Sequence, residues 1–422
     1  MKEQRKDAKG RILRVGEDQM PDGRYRYRYT DAAGRRRAVY SWRLVLADKT
    51  PAGMHRDACL REKEAAIAAD LRDEIDSYGA ASLTLNDMFR RYMQTKAELR
   101  PGSLLHYECI YRNAIEDTLG KRRLRDVRYS DVAALYVRLR QERAYKPRTI
   151  ESVHNVLHPV FAMAVRDGLL RRNPTENALN ELRKGEDWVL ERRHALTEEE
   201  QAAFVGFVAA SPVYRRWMPL FTVMLGTGCR IGEVLGLRWE NCDFAARTIR
   251  IDHAVTYLPR ANGRCEMHCG PTKTASSVRT IPMLSGVYDA LMKERRRQES
   301  DDFSRGELDG WDDFVFTNSV GNLHNPTTVN QVIGRICSSY NAQETSRALR
   351  EGRDALLLPH FTAHNLRHTF CTRFCENESN VKVIQEIMGH SSIVTTMNIY
   401  AEVSDRRKQT AIYELEGKVK IS

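Results

Sequence analysis

The stretch Gly226-Thr227-Gly228-Cys229-Arg230-Ile231-Gly232-Glu233 (GTGCRIGE) decides how this chain reads. Its G-x-G-x-x-x-G spacing is one residue off the dinucleotide-binding fingerprint, and no phosphate-binding P-loop occurs elsewhere. Read as a helix start, Arg230–Arg238, it sets Arg230 and Glu233 on one face at i, i+3. His364-Asn365-Leu366-Arg367 repeats that spacing on a second helix, Thr362–Phe374. Met388-Gly389-His390-Ser391-Ser392 then breaks a helix, Val381–Met388, and caps the next, which ends at Ile399-Tyr400. His364 and His368 stand i, i+4 as in zinc proteases, but Asn365 occupies the place of the required Glu. Cys265-Glu-Met-His268-Cys269 has no matching second pair, which disfavours zinc there, and Cys371 and Cys375 read as packing residues.

These residue types suit phosphoryl chemistry. Arg230 and Arg367 can each present a guanidinium fork to non-bridging phosphate oxygens, where a pentacovalent transition state gains negative charge. Tyr400 is a poor nucleophile at rest, since with a pKa of about 10 roughly one phenol in a thousand is ionised at pH 7. Taken singly, each residue has a plainer reading. Ile393, Met397 and Tyr400 share a helical face, as in a core; Arg230–Glu233 reads as a surface ion pair; His390 reads as a helix-end cap. Only as a set do they specify a reaction.

Working outward, the charge is unevenly spread. The 422 residues carry a net +11, yet residues 1–185 hold 38 basic and 26 acidic side chains, and the remainder is near neutral. A basic N-terminal half points to a polyanion, most often nucleic acid. No apolar run approaches a membrane span, no apolar segment follows the basic N-terminus, and nine cysteines form no paired framework, so a reduced cytoplasmic protein is expected.

Three domains are expected: 1–80, 81–185 and 186–422. In the first, Arg11–Val15 and the alternating Arg24-Tyr25-Arg26-Tyr27-Arg28-Tyr29 flank a turn at Asp22-Gly23, and a third strand runs from Arg36 to Trp42. That alternation puts Arg24, Arg26 and Arg28 on one face, a candidate major-groove reader. A helix from Leu60 to Tyr78, with Ala65, Ile67, Ala68 and Leu71, covers the tyrosine face. The second domain reads as an all-helical bundle, with stripes through Leu85–Met93, Val132–Leu139 and Ile150–Phe161. Lys121, Arg122, Arg123, Lys146 and Arg148 offer it a phosphate-binding face, and 183–193 reads as a linker. The third mixes helices with two strands, Thr248–Tyr257 and Ser277–Pro282, around a hairpin-like Ala261-Asn262-Gly263. The fold class is thus multidomain α+β: a small three-stranded sheet plus helix, an all-α bundle, then a mixed α/β domain.

In order and spacing these boxes resemble the tyrosine recombinase (phage integrase) family: an Arg in a TGxRxxE box, a hairpin Lys, an HxLRH box, a GH box and a Tyr shortly after. Within it the chain looks most like integrases of conjugative transposons, which add an arm-binding sheet-plus-helix like residues 1–75. The resemblance implies a catalytic set of Arg230, Lys273, His364, Arg367, His390 and the nucleophile Tyr400. Lys273, the only lysine between Lys184 and Lys293, would protonate the 5′-oxygen leaving group; His364 would relay a proton beside the tyrosine; His390 would donate to the phosphate. A phosphotyrosine linkage stores the phosphodiester energy, so no cofactor, ATP or metal is expected. The implied partners are double-stranded DNA at core-type and arm-type sites, a homotetramer in synapsis, an excisionase and a DNA-bending host protein, and no membrane. The tail 405–422, with Ala411, Ile412 and Leu415, would dock on a neighbouring protomer. Two rivals remain open here: a type IB relaxing enzyme, which needs no arm domain, and a catalytically silent DNA-binding regulator.

Overall fold

The computed structural model describes residues 5–31, 34–73, 75–76, 81–190, 194–259, 265–272, 277–300, 306–400 and 413. Lys273, the turn at 261–263 and the tail 405–422 lie outside the described residues, as does the side chain of Tyr400. The chain divides into two compact units, residues 1–191 and 192–422.

Unit one opens with an antiparallel sheet of β1 (Glu17–Gln19), β2 (Tyr25–Thr30) and β3 (Arg36–Ser41), in that spatial order. The first strand was expected at Arg11–Val15; it starts later because the chain turns at Gly16, whose φ is +92°. A Cβ at Gly16 would come within 2.7 Å of the Arg28 carbonyl oxygen, so only glycine fits. Arg11 is held back by Asp7 and Asp48, at 2.7 and 2.8 Å. Helix α1 (Leu60–Arg72) buries Leu60, Glu64 and Ile67 in an i, i+4, i+7 stripe, while Ala65 and Ala68 are exposed, contrary to expectation. Tyr25, Leu44 and Leu60 form the small core beneath this sheet. Burial beside Glu17 lifts the Glu64 carboxyl to about 7.

A second, separate core in this unit lies among helices α2 (Leu85–Gln94), α3 (Pro101–Tyr111), α4 (Tyr129–Gln141), α5 (Pro147–Arg166) and the short α6 (Asn180–Arg183). The expected stripes face it: Leu85, Met88, Phe89 and Tyr92; Val132, Leu135, Tyr136 and Leu139; Ile150, Val153, Val156, Leu157, Val160 and Phe161. Thr84 caps α2, accepting from the Asp87 N–H at 3.2 Å while its own N–H donates to the Asp87 carboxylate at 2.9 Å. Pro147 opens α5, where a missing N–H costs nothing.

Unit two packs α7 (Glu198–Ala210), α8 (Met218–Thr227), α9 (Ile231–Leu235), α10 (Ser285–Ser300), α11 (Pro326–Glu351) and α12 (Ala363–Asn377) with short sheets around its main core. Thr248–Tyr257, expected as one strand, breaks at Asp252. Its first part, β5 (Thr248–Ile251), lies between β4 (Cys242–Asp243) and β8 (Arg279–Pro282). Its second, β6 (His253–Pro259), forms a separate ribbon with β7 (Cys265–Pro271). Helices α13 (Val381–Met388) and α14 (Ile393–Tyr400) follow, and a smaller core of Cys371, Cys375, Ile384 and Met388 joins α12 to α13. Among the described residues no helix is long and apolar enough to cross a membrane.

Candidate active site

Helix α8 is apolar on every side and ends at Gly228, in the left-handed region at φ +62°. A Cβ there would meet the Phe370 ring at 2.4 Å, so the reversal that delivers Arg230 requires glycine. Arg230 then caps α9: its N–H donates to Glu233 Oε2 at 2.9 Å and its Nη1 to Oε1 at 2.7 Å. Gly232 lets α9 sit on β6, since a Cβ would fall 2.3 Å from the Val255 carbonyl oxygen. Glu233 is 3% exposed while the Arg230 side chain stays 39% exposed, so a buried carboxylate holds an arginine that opens to the surface, and the pair is not the plain surface ion pair expected of these residues alone. Burial works to raise the Glu233 carboxyl, but Arg279 and Arg230 outweigh it and hold it below the ordinary value.

The second arginine comes from α12, whose N-terminus is capped by Thr362 and Asn365. Arg367 is buried and donates from Nη1 to the Gly228 carbonyl at 2.7 Å and from Nη2 to the Met388 carbonyl at 2.6 Å. Burial, then repulsion from Arg230, brings its guanidinium down to about 10, so it stays charged at neutral pH. Arg230 Nη2 reaches the next carbonyl, Gly389, at 3.0 Å. Both guanidinium groups therefore grip one turn, at the end of α13.

That turn presents His390, whose Nδ1 lies 2.9 Å from Thr396 Oγ1 on α14. Burial, with Arg367, Arg230, Arg279 and His364 around it, pushes the imidazole down to about 3. The helix-end reading of His390 is thus incomplete, because its ring ties two helices together. His364 stands exposed in the first turn of α12, within electrostatic reach of His390. Tyr400 closes α14. Ile393 and Met397, expected to share a core face with it, are 46% and 45% exposed, whereas Thr396 is buried. Four of the six expected residues, Arg230, His364, Arg367 and His390, thus cluster, and α14 brings Tyr400 to the end of the same assembly.

Arg279 was not anticipated. It opens β8 and donates to Glu233 Oε2 at 2.8 Å. The available cue was a second cation demanded by Glu233, a carboxylate already tied to an arginine. Cys265, His268 and Cys269 lie on β7, where Cys269 is buried and His268 lies 3.3 Å from Asp309. Among the described residues no cluster of three or more potential metal ligands occurs.

The expected DNA-binding residues of unit one are only partly free to act. Arg26 faces Asp18 across the sheet and donates to it from Nε at 3.0 Å. Arg24 pairs with Asp22 at 2.7 Å and lies over the Tyr40 and Trp42 rings. Arg28 is exposed, so the arginine face is narrower than the alternation implies. In the helical part, Lys121 pairs with Asp117 at 2.8 Å, Arg122 with Asp131 at 2.5 Å, and Arg123 donates to the Ala81 carbonyl at 3.1 Å. Lys146 and Arg148 stand exposed at the N-terminus of α5.

A buried carboxylate between arginines, two arginines on one turn and a histidine tied to the following helix make up one assembly. Residues 194–407 match the phage integrase family, and residues 1–71 match the DNA-binding domain of Tn916 integrase. The chain belongs to the phage integrase family and is a tyrosine recombinase. It is 32% identical over 404 residues to the transposase from transposon Tn1545 of Streptococcus pneumoniae and to that from Tn916 of Enterococcus faecalis, covering 96% of this chain and 95% of each relative. Structures of the Tn1549 transposon integrase, bound to a circular-intermediate DNA and to transposon right-end DNA, share 26% identity with it. They superpose with TM-scores of 0.69 and 0.68 over 79% of this chain and all of theirs.

Proposed function

We propose that this recombinase integrates and excises a mobile element by site-specific strand exchange, with Arg230, Lys273, His364, Arg367, His390 and Tyr400 as its catalytic set. The observation that carries this reading is the shared grip of Arg230 and Arg367 on the 388–389 turn, which fixes two guanidinium groups beside His390. Cations held in advance stabilise the charge that develops on the phosphorane oxygens and need no reorganisation during reaction. The Tyr400 oxygen attacks the scissile phosphorus and its proton passes to His364. A bond forms from phosphorus to the tyrosine oxygen while the bond to the 5′-oxygen breaks, and Lys273 protonates that leaving oxygen. Attack by a partner strand's 5′-hydroxyl reverses these steps and releases the tyrosine.

In this reading residues 1–80 bind arm-type DNA and residues 81–185 core-type DNA, with Arg24, Arg26, Arg28, Lys121, Arg122, Arg123, Lys146 and Arg148 on phosphates or bases. Residues 186–422 catalyse. Four protomers act in synapsis in the cytoplasm, aided by an excisionase and a DNA-bending host protein, and the tail 405–422 docks in trans. The Tn1549 integrase structures with transposon DNA support the substrate class. A duplex nicked near the crossover traps the covalent intermediate. The native protein is expected to give a 3′-phosphotyrosyl adduct and Tyr400→Phe none; equal adduct from both would falsify the assignment.

A further inference from the structure

We infer that Arg279 is a positioning residue of the cleavage site, acting on Arg230 through Glu233 and through the Gly389 turn that Arg230 grips. Its side chain is 6% exposed. Every nitrogen of its guanidinium group has a protein partner. Nη2 donates to Glu233 Oε2 at 2.8 Å and lies 3.6 Å from Cys229 Sγ. Nε donates to the Ile387 carbonyl at 2.8 Å, and Nη1 to the Ser277 carbonyl at 3.0 Å.

Two consequences follow from these bonds. Glu233 carries one negative charge between two arginines. Without Arg279 that charge would fall on Arg230 alone and cancel the cation aimed at the phosphate. The guanidinium group also packs beneath Gly389, where a Cβ would lie 3.0 Å from Nη1 and 3.2 Å from Cζ. Arg279 thus supports from below the turn that Arg230 grips through the Gly389 carbonyl.

The inference rests on Arg230 serving the scissile phosphate, and the test separates the two ideas. Single-turnover cleavage by the full-length protein is measured on a nicked duplex carrying either an ordinary phosphodiester or a methylphosphonate at the scissile position. The methylphosphonate lacks the charged non-bridging oxygen, so it has no need of a balanced cation. Arg279→Gln is expected to slow phosphodiester cleavage by roughly 10–100-fold, with DNA affinity and methylphosphonate cleavage within about 3-fold of native. Arg279→Lys, which keeps the charge on Glu233 but not the fork, is expected to fall between. Equal loss on both substrates, or loss on neither, overturns the inference. Arg230→Ala is the control. If it too loses equally on both, the reading of Arg230 fails. If it alone is selective, only the role of Arg279 fails. Should circular dichroism show Arg279→Gln unfolded, Arg279→Lys carries the same comparison.

Discussion

Arg367 Nη1 donates to the carbonyl oxygen of Gly228 at 2.7 Å, joining two boxes 139 residues apart in the chain. Its other terminal nitrogen holds Met388, so one guanidinium group fixes three segments. Lysine has a point charge and no fork, and cannot span both carbonyls. Arg367→Lys is expected to reduce single-turnover cleavage by about 100-fold or more, with site affinity changed only a few-fold. Adduct formation and gel-shift titration on the same duplex measure the two.

Gly228 answers to a second constraint. Alanine there must adopt φ +62° and place its Cβ 2.4 Å from the Phe370 ring. Strain of about 1 kcal/mol and overpacking of about 1–3 kcal/mol sum to a loss of roughly 2–4 kcal/mol, read from denaturant unfolding. A native-like unfolding midpoint would show that the turn relaxes.

His390 makes stability pH-dependent. Its folded imidazole is held near 3 against an ordinary 6.5, so below pH 6.5 the unfolded chain takes up a proton that the folded chain refuses. Stability is therefore unaffected above 6.5 and falls by about 1.4 kcal/mol per pH unit from there toward 3. His324, held near 4 chiefly by burial, acts with the same sign. Together they cost roughly 3–4 kcal/mol between pH 7 and pH 5. His390→Gln is expected to remove about half of that difference; an unchanged pH profile contradicts it.

In the N-terminal sheet, Asp18 opposes Arg26, and only Arg28 among the three alternating arginines is exposed. Asp18→Asn frees Arg26 and is expected to tighten arm-DNA binding and steepen its salt dependence. Arg28→Ala is expected to weaken binding and reduce the logarithmic salt slope by about 1. Fluorescence titration at several salt concentrations distinguishes these signs.

What was legible in the sequence was local chemistry repeated at short range. Thr84 with Asp87, Thr197 with Glu200 and Pro147 mark helix starts because a cap or proline acts within one turn. Helix α8 carries no polar face to mark it, because Met218–Thr227 is built almost wholly of apolar or small residues and so shows no stripe. Helix α11 had clear signals at Asn325-Pro326 and at Gly352, but its polar surface diluted the buried row of Val329, Val332, Ile333 and Ile336. At the site, the i, i+3 boxes pointed to Arg230 and Arg367. Arg279 stayed hidden because its partners, Glu233 and Ile387, lie 46 and 108 residues away, and no periodicity encodes such bonds. The alternation at 24–29 gave the strand but not its cross-strand Asp18, which depends on register.

Helix α14 turns Ile393, Val394 and Met397 toward solvent and holds on through Thr396 and Ile399. An element with so few buried anchors opens at a small fraction of the free energy needed to unfold the domain. Its amides should exchange with deuterium well before those of α12, which is rooted by Leu366, Arg367, Thr369 and Cys371. In the proposed reading the nucleophile Tyr400 rides on a lightly anchored helix, while Arg230 and Arg367, both gripping the 388–389 turn, sit on fixed ground. In that reading cleavage is throttled by how often one short helix is seated, and a neighbouring protomer that clamps it would set the order in which the proposed four subunits fire.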